Sequence, residues 1–347
     1  MSGTSLDGLD LILCRFSRSK NRWKYRIHKT VTYKYTPAWK KRLNEACALD
    51  AGDFLLLHNE YGKFIGNAVK RFLKASGVKV ELVASHGHTI FHQPQNELTF
   101  QLGSGAVIAS QCKITTVSDF RSMDIAFGGQ GAPLVPVGDE LLFSKYRFCL
   151  NLGGFANISN RQNGLRIACD LCPVNIVINE LAQRMGHEYD PDGVIGSRGK
   201  VNDKLLNELN GLDFYSRPAP KSLGREWLEE QFIPVLATYK IPVEDLIRSV
   251  YEHIAIQIGA YINKYDTGEI LVTGGGILNK FLKELLQQKI KSTLIIPDLQ
   301  LIKFKEALIF CFLGLLRYRN EINCLASVTG ARCDTSSGIV HFIGYVR

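Results

Sequence analysis

No stretch of this 347-residue chain is long enough and apolar enough to cross a bilayer. The longest apolar run near the C-terminus, Ala307 to Leu316, is ten residues held between Glu306 and Arg317. That is about half of a membrane span and reads as a buried helix. Two nucleotide signatures are missing: there is no G-x-x-x-x-G-K-[ST], and no G-x-G-x-x-G follows the first strand, which disfavours P-loop and dinucleotide-binding folds. No G-x-S-x-G is present either, so a serine-hydrolase elbow is excluded. Proline is scarce, 11 residues against 31 glycines, which gives many tight turns without a linker-like bias. Nine widely spaced cysteines and no recognisable signal peptide favour reduced, mostly buried thiols in the cytoplasm.

What is present suits a folded, two-domain protein. Hydrophobic residues make up 46% and charged residues 22%, too apolar a balance for a disordered chain. The length suggests two domains. The formal charge of +9 is scattered rather than gathered into a block, which fits a small polyanion such as a nucleotide better than nucleic acid. Apolar runs at Leu9–Phe16, Val80–Ser85, Phe148–Leu152, Ile167–Leu171 and Glu269–Thr273 read as strands, as does the alternating Trp23–Tyr35. Helical periodicity marks Pro37–Leu43, Asn59–Ala75 (with Gly77 as its cap), Asn175–Arg184, Gly199–Leu209, Val243–Asn263 and Leu278–Gln288. Strands alternating with helices over short connections predict α/β domains with mixed sheets flanked by helices.

One local device recurs. Three times an apolar run meets a glycine-rich turn: Ser2-Gly3-Thr4-Ser5, Asn151-Leu-Gly153-Gly154 and Thr273-Gly274-Gly275-Gly276. Glycines let backbone N–H groups converge on an anion, and hydroxyl side chains add donors. Any one such turn is equally an ordinary connection, whereas three with acids nearby suggest a phosphate-bearing ligand. Asp170 ends an apolar strand and is either a general base or a cap for the helix after Pro173, a role for which Asn175 competes. Asp7 or Asp10 either stabilises its turn or helps to place a Mg²⁺ held mainly by phosphates. His86-Gly-His88 with His92 lacks an acidic partner for zinc, so these histidines are expected to contact a polar ligand or hold a loop. Cys169-x-x-Cys172 reads as buried packing or, as the alternative, a regulatory disulfide. The run Gly128-Gly-Gln130-Gly-Ala-Pro133 suits a groove lining for a hydroxylated ligand. Lys221 and Arg225 either pair with an anion or belong to a solvated helix start.

Taken together, the opening octet Met1 to Gly8, Ser85-His86-Gly87, Asp119-Phe-Arg121 with Asp124, Gly128 to Pro136, Asn151 to Asn157, Tyr189-Asp190 with Asp192-Gly193, Gly274 to Gly276 with Asn279, and Lys305-Glu306-Ala307 resemble the anhydro-N-acetylmuramic acid kinase family. That family lies in the actin, sugar-kinase and Hsp70 ATPase superfamily. The resemblance implies a two-domain actin-like ATPase of ribonuclease H-like domains with an interdomain cleft, here 1–125 joined by 315–347, and 126–314. It also implies ATP and Mg²⁺ as cofactors, an amino sugar as substrate, and a cytoplasmic homodimer without nucleic-acid or membrane partners. The implied reaction is conversion of 1,6-anhydro-N-acetylmuramic acid to N-acetylmuramate 6-phosphate in peptidoglycan recycling. Asp170 falls on the general base. Ser2, Gly3, Thr4, Ser5, Asp7, Gly153, Gly154, Asn157, Gly274, Gly275, Gly276 and Asn279 fall on the nucleotide side. His86, Arg121, Asp124, Gln130 and Glu306 fall on the sugar side. Three departures are expected to matter. Leu171-Cys172 replace a Thr-Gly pair and should change the site wall, His88 replaces a glutamine, and the first phosphate turn lacks the strand that normally precedes it, which should weaken the first sheet. A kinase acting on another amino sugar, or a binding protein that has lost the chemistry, is the alternative.

Overall fold

The computed structural model describes residues 1–344 other than Thr4, Ser5, Asn21, Ala75 and Pro220. The assignments made to Thr4 and Ser5 therefore lie outside the described residues. The chain divides into two compact units, Met1–Leu142 with Phe304–Arg347, and Phe143–Lys303. Both are α/β, the class that the alternation of strands and helices predicts. The division falls at 142/143 and 303/304, not at 125/126 and 314/315, because the chain after Phe127 folds back on the first unit. Gln130 N donates to Thr329 O at 2.9 Å. Gly138 lies so close to Ile309 that a Cβ there would come within 2.6 Å of it. The buried pair Asp139–Lys305, at 2.7 Å, closes the return.

In the first unit, β1 (Gly8–Ser19) and β2 (Arg22–Lys34) form a long antiparallel hairpin. Helix α1 (Pro37–Asn44) begins with Pro37 and is capped by Thr36. Helix α2 (Ala51–Lys74) starts eight residues before the expected Asn59, because Asp50 Oδ1 accepts Asp53 N at 2.9 Å and caps a turn that periodicity alone does not reveal. The short β3 (Val83–Ala84) is what remains of the expected Val80–Ser85 strand. It is followed by the hairpin β4 (His88–Gln93) and β5 (Leu98–Leu102), then α3 (Gly105–Cys112), β6 (Thr116–Ser118), α4 (Ser122–Ala126) and α5 (Pro136–Leu142).

The second unit is built on one five-stranded sheet of β7 (Phe148–Leu152), β8 (Phe155–Gln162), β9 (Leu165–Pro173), β10 (Glu269–Thr273) and β11 (Thr293–Ile295), in the order β11-β10-β7-β8-β9. β7 runs parallel to β10 and antiparallel to β8, β8 antiparallel to β9, and β10 parallel to β11. Three antiparallel strands extended by two parallel ones is the ribonuclease H-like pattern. Helices α6 (Asn175–Gln183), α7 (Asp203–Asn210), α8 (Val243–Ile262) and α9 (Lys280–Lys289) supply leucines and isoleucines to a single core with the strands. The helix expected from Gly199 starts at Asp203, where Asn202 Oδ1 caps Leu205 N.

Helix α10 (Leu299–Tyr318) and β12 (Ile339–His341) bring the chain back to the first unit, where the second sheet has the order β12-β6-β3. That unit's strands lie in three separate sheets. Ser2 links two of them through single bridges, antiparallel to Leu9 and parallel to His88. These are the two directions in which β7 meets β8 and β10. Among the described residues no helix is long and apolar enough to cross a membrane.

Candidate active site

In the second unit a polar row crosses four strands. Thr273 on β10 stands opposite Asn151 on β7, Asn151 opposite Asn157 on β8, and Asn157 opposite Asp170 on β9. Residues in direct register share a face of the sheet, so these four side chains form a line beside the glycine turns that leave the carboxyl ends of β7 and β10. In an open α/β sheet those ends are where ligands bind.

Asp170 lies in mid-strand, half-buried. Its Oδ2 accepts Leu223 N at 2.8 Å, and its own N–H donates to Lys221 O at 2.9 Å. Burial pushes its carboxyl up to about 6, against the opposing pull of the Leu223 amide. A carboxylate near neutrality is suited to take a proton from water. The helix-cap alternative is overturned. Asp170 has its side chain on the Leu223 amide, Val174 is the α6 N-cap without a side-chain bond, and Asn175 Nδ2 donates instead to Leu152 O.

The two glycine turns of this unit touch. Gly274 holds φ +84°, and a Cβ there would sit 2.6 Å from Leu152 O and 2.7 Å from Asn151 Oδ1; Gly276 is pressed against Leu152. Gly275 and Gly154 are exposed. The carbonyls of Gly153 and Gly154 accept the first N–H groups of α6, which fixes the turn to the helix. Asn279 keeps its side chain inside the protein: Nδ2 donates to Tyr251 Oη at 2.7 Å, and Oδ1 caps Leu282 N. Buried Asp190 joins the same network through Ile195 N, Gly196 N and Tyr251 Oη.

In the first unit, the Ser2 hydroxyl is fixed by side chains. It accepts from Tyr35 Oη at 2.7 Å and meets His88 Nδ1 at 2.9 Å, while Tyr35 bonds Tyr61. Burial lowers His88 to about 4, so the ring is neutral and holds the turn. Gly3 and Asp7 are exposed beside it. Asp10 accepts Thr32 Oγ1.

The sugar-side candidates of this unit form a second cluster. His86 Nδ1 faces Gly87 O, and its Nε2 accepts Arg121 Nε and Nη2 at 3.1 and 2.9 Å. Burial and the neighbouring guanidinium hold that imidazole well below its usual range. Arg121 Nη1 also donates to Gly131 O. Asp124 is fully buried, and both its oxygens are occupied. Oδ2 takes Gly131 N at 2.7 Å, and Oδ1 takes Thr329 Oγ1 and Cys324 Sγ. It braces the glycine run, leaving Gln130 exposed at the surface of that run. Glu306 reaches solvent, yet desolvation raises its carboxyl against the pull of Arg121 and the Met1 ammonium.

A family model described as anhydro-N-acetylmuramic acid kinase matches residues 1–342. The chain belongs to that family. Proteins named anhydro-N-acetylmuramic acid kinase from Vibrio cholerae and Bacillus cereus are 34% and 33% identical to it, over 99% of this chain and 97% and 96% of theirs. Among solved structures, the activator of the 2-hydroxyisocaproyl-CoA dehydratase from Clostridium difficile is a distant likeness, 12% identical with a TM-score of 0.39, covering 86% of this chain and 92% of that one.

Set within the anhydro-N-acetylmuramic acid kinase family, one of the departures takes a different place from the expected one. Leu171 and Cys172 are in the hydrophobic core, not the site wall. The ladder between β8 and β9 skips a residue there: Asn157 faces Asp170, but Ala156 faces Cys172, leaving Leu171 as the extra residue of a bulge. The bulge turns Cys172 away from the face that carries Asp170. Lys221 Nζ donates to Phe214 O, and Arg225 meets the carboxylate of Glu229 one turn on in an exposed pair, which is the solvated helix start of the two readings. Residue reasoning missed Tyr35, Tyr61, Tyr251 and the Leu223 amide, none of which carries a local motif.

Proposed function

We propose that this chain is an ATP-dependent kinase that converts 1,6-anhydro-N-acetylmuramic acid to N-acetylmuramate 6-phosphate in cytoplasmic recycling of peptidoglycan. The observation that supports it most is Asp170, with its carboxyl shifted up to about 6, at the end of the polar row beside two touching glycine turns. On this reading Asp170 accepts a proton from a water whose oxygen bonds to C1 of the sugar. The bond between C1 and the bridging oxygen breaks, and that oxygen, O6, takes the γ-phosphoryl group, releasing ADP. The leucine amide on Oδ2 fixes the carboxylate so that its other oxygen meets the water.

Gly154 and Gly275, exposed in their turns, with Gly3, would receive phosphate oxygens through their N–H groups, while Gly153 N and Gly274 N are held by Phe155 O and Ile302 O; Arg121 and Glu306 would receive the sugar. Asp7 is a single exposed carboxylate, a donor set that fits a Mg²⁺ held mostly by phosphate oxygens and water. That ion would neutralise phosphate charge during transfer. The case for another amino sugar rests on Leu171-Cys172 and His88; the pair lies in the core and His88 holds Ser2, so neither supports it. The homodimer belongs to the same proposal and is checked by light scattering.

The test is ADP formation with and without the anhydro sugar, run in ¹⁸O-water. The expected product carries the label on the sugar and none on the phosphate. ADP release indifferent to the sugar, or label in the phosphate, would overturn the reading.

A further inference from the structure

Buried His86 has no ring nitrogen left for a ligand, because both are engaged inside the first unit. Gly87 O can only accept, so the ring proton sits on Nδ1, which donates to it at 3.1 Å. Nε2 is then a lone pair, and Arg121 Nε and Nη2 both donate to it, at 3.1 and 2.9 Å. Phe310 of α10 holds the ring from the side, edge-on with centroids 4.6 Å apart. Gly87 is fixed as well: its φ is +74°, and a Cβ there would come within 2.4 Å of Leu102 O. One tautomer of a buried imidazole is thus held in one orientation, with its acceptor turned to Arg121.

Arg121 is the group that this arrangement serves. Nη1 donates to Gly131 O, so three of the five guanidinium N–H groups are engaged and two remain. The partners of those three are an imidazole and a carbonyl, both neutral. Asp124, three residues on, has its oxygens taken by Gly131 N, Thr329 Oγ1 and Cys324 Sγ. Burial works against the charge of the guanidinium, and Glu306 is the strongest influence in the opposite sense. A carboxylate in the place of His86 would hold Arg121 as firmly, but it would cancel the charge. An imidazole orients the guanidinium and leaves its charge to be met by a ligand.

We propose that His86 is a positioning residue that presents the Arg121 guanidinium to the carboxylate of the sugar, so that the first unit selects acid-bearing anhydro sugars over neutral ones. The inference rests on the reading that Arg121 lies on the sugar side. It gives His86 a role through Arg121 instead of a contact with the sugar itself. Two remaining N–H groups on a planar cation suit the two oxygens of a carboxylate.

The test is calorimetric binding of 1,6-anhydro-N-acetylmuramic acid and of its methyl ester to the whole protein. The parent is expected to bind the acid about 10–100-fold more tightly than the ester, the range of one charge-assisted contact. His86→Phe keeps a ring against Phe310 but has no acceptor. It should weaken the acid about tenfold and the ester no more than about twofold, with ATP affinity unchanged. His86→Gln, whose amide oxygen can take the place of Nε2, should restore most of the preference for the acid. In the parent, ¹⁵N spectra at about pH 6 should show His86 protonated on Nδ1 and bare on Nε2. Thermal melting shows whether each variant is folded, and if His86→Phe is not, the tautomer and the parent's own preference decide. No binding of the acid, equal affinity of the parent for acid and ester, or a proton on Nε2 would each overturn the proposal. So would an equal loss for both ligands in folded His86→Phe, or a folded glutamine variant no better than the phenylalanine one. Because binding is read directly, a parent that prefers the acid yet forms no ADP would break the kinase reading alone.

Discussion

The two units carry equivalent turns held in different ways. In the second, the turn after β7 hangs from main-chain ladders on both sides, and Gly274 fits against Leu152 with no room for a side chain. In the first, the turn at Ser2 has a single bridge on each side, and the tyrosines and His88 supply the rest through hydroxyl and imidazole bonds. A strand in mid-sheet fixes a turn through backbone that any sequence provides. Around Ser2 particular side chains share that duty, and the turn becomes sensitive to single substitutions.

That contrast can be broken most severely in the second unit. Asp170→Asn is expected to lower sugar-dependent ADP formation by about 10²–10⁴-fold while nucleotide binding persists in a calorimetric titration. Turnover within a few-fold of the parent would remove Asp170 from the chemistry. Gly274→Ala should destabilise the protein by about 2–4 kcal/mol in urea unfolding, since it combines a positive φ with a close backbone approach. Its neighbour Gly275, with open space around it, should tolerate alanine within about 0.5 kcal/mol. Equal effects at the two positions would mean that the turn is not held by contact with Leu152.

The raised Asp170 carboxyl gives the next effect. The folded chain binds this proton more tightly than an unfolded chain with its carboxyl near 3.8. The associated stability is full below about pH 4 and disappears as pH climbs through about 6. Asp170→Asn should therefore be more stable than the parent by about 1–2 kcal/mol at pH 7.5, and the gap should close below pH 4. The same ionisation predicts that parental turnover falls as pH drops through about 6. An unchanged rate from pH 7 to 5 contradicts it.

Smaller effects belong to the first unit. Tyr35→Phe removes the donor to Ser2 and should lower stability by about 1–2 kcal/mol, as read by thermal unfolding.

Much of this was legible locally. The α8 helix and the β10 strand follow from periodicity, and the glycine turns follow from composition, because each is written in adjacent residues. Asp170 was identifiable as a carboxylate near a strand end, although the strand continues to Pro173. What escaped depends on distant partners. Asp124 falls on the sugar side by the resemblance, but Thr329 and Cys324, some two hundred residues away, occupy one of its oxygens. His88 reads as part of a histidine cluster, and only its pairing with Ser2 makes it a support for the turn. The early start of α2 was readable from Asp50 and Asp53, but an exposed cap leaves no mark on the apolar pattern used to find helices.

The extra residue in β9 separates two kinds of selection within three positions. On the proposed reading Asp170 answers to chemistry, while Leu171 and Cys172 answer to packing. A change between bulky and small residues at 171 and 172 therefore falls on the interior packing and not on the face that carries Asp170. Proximity along the chain is therefore a poor guide to substrate preference in this part of the protein.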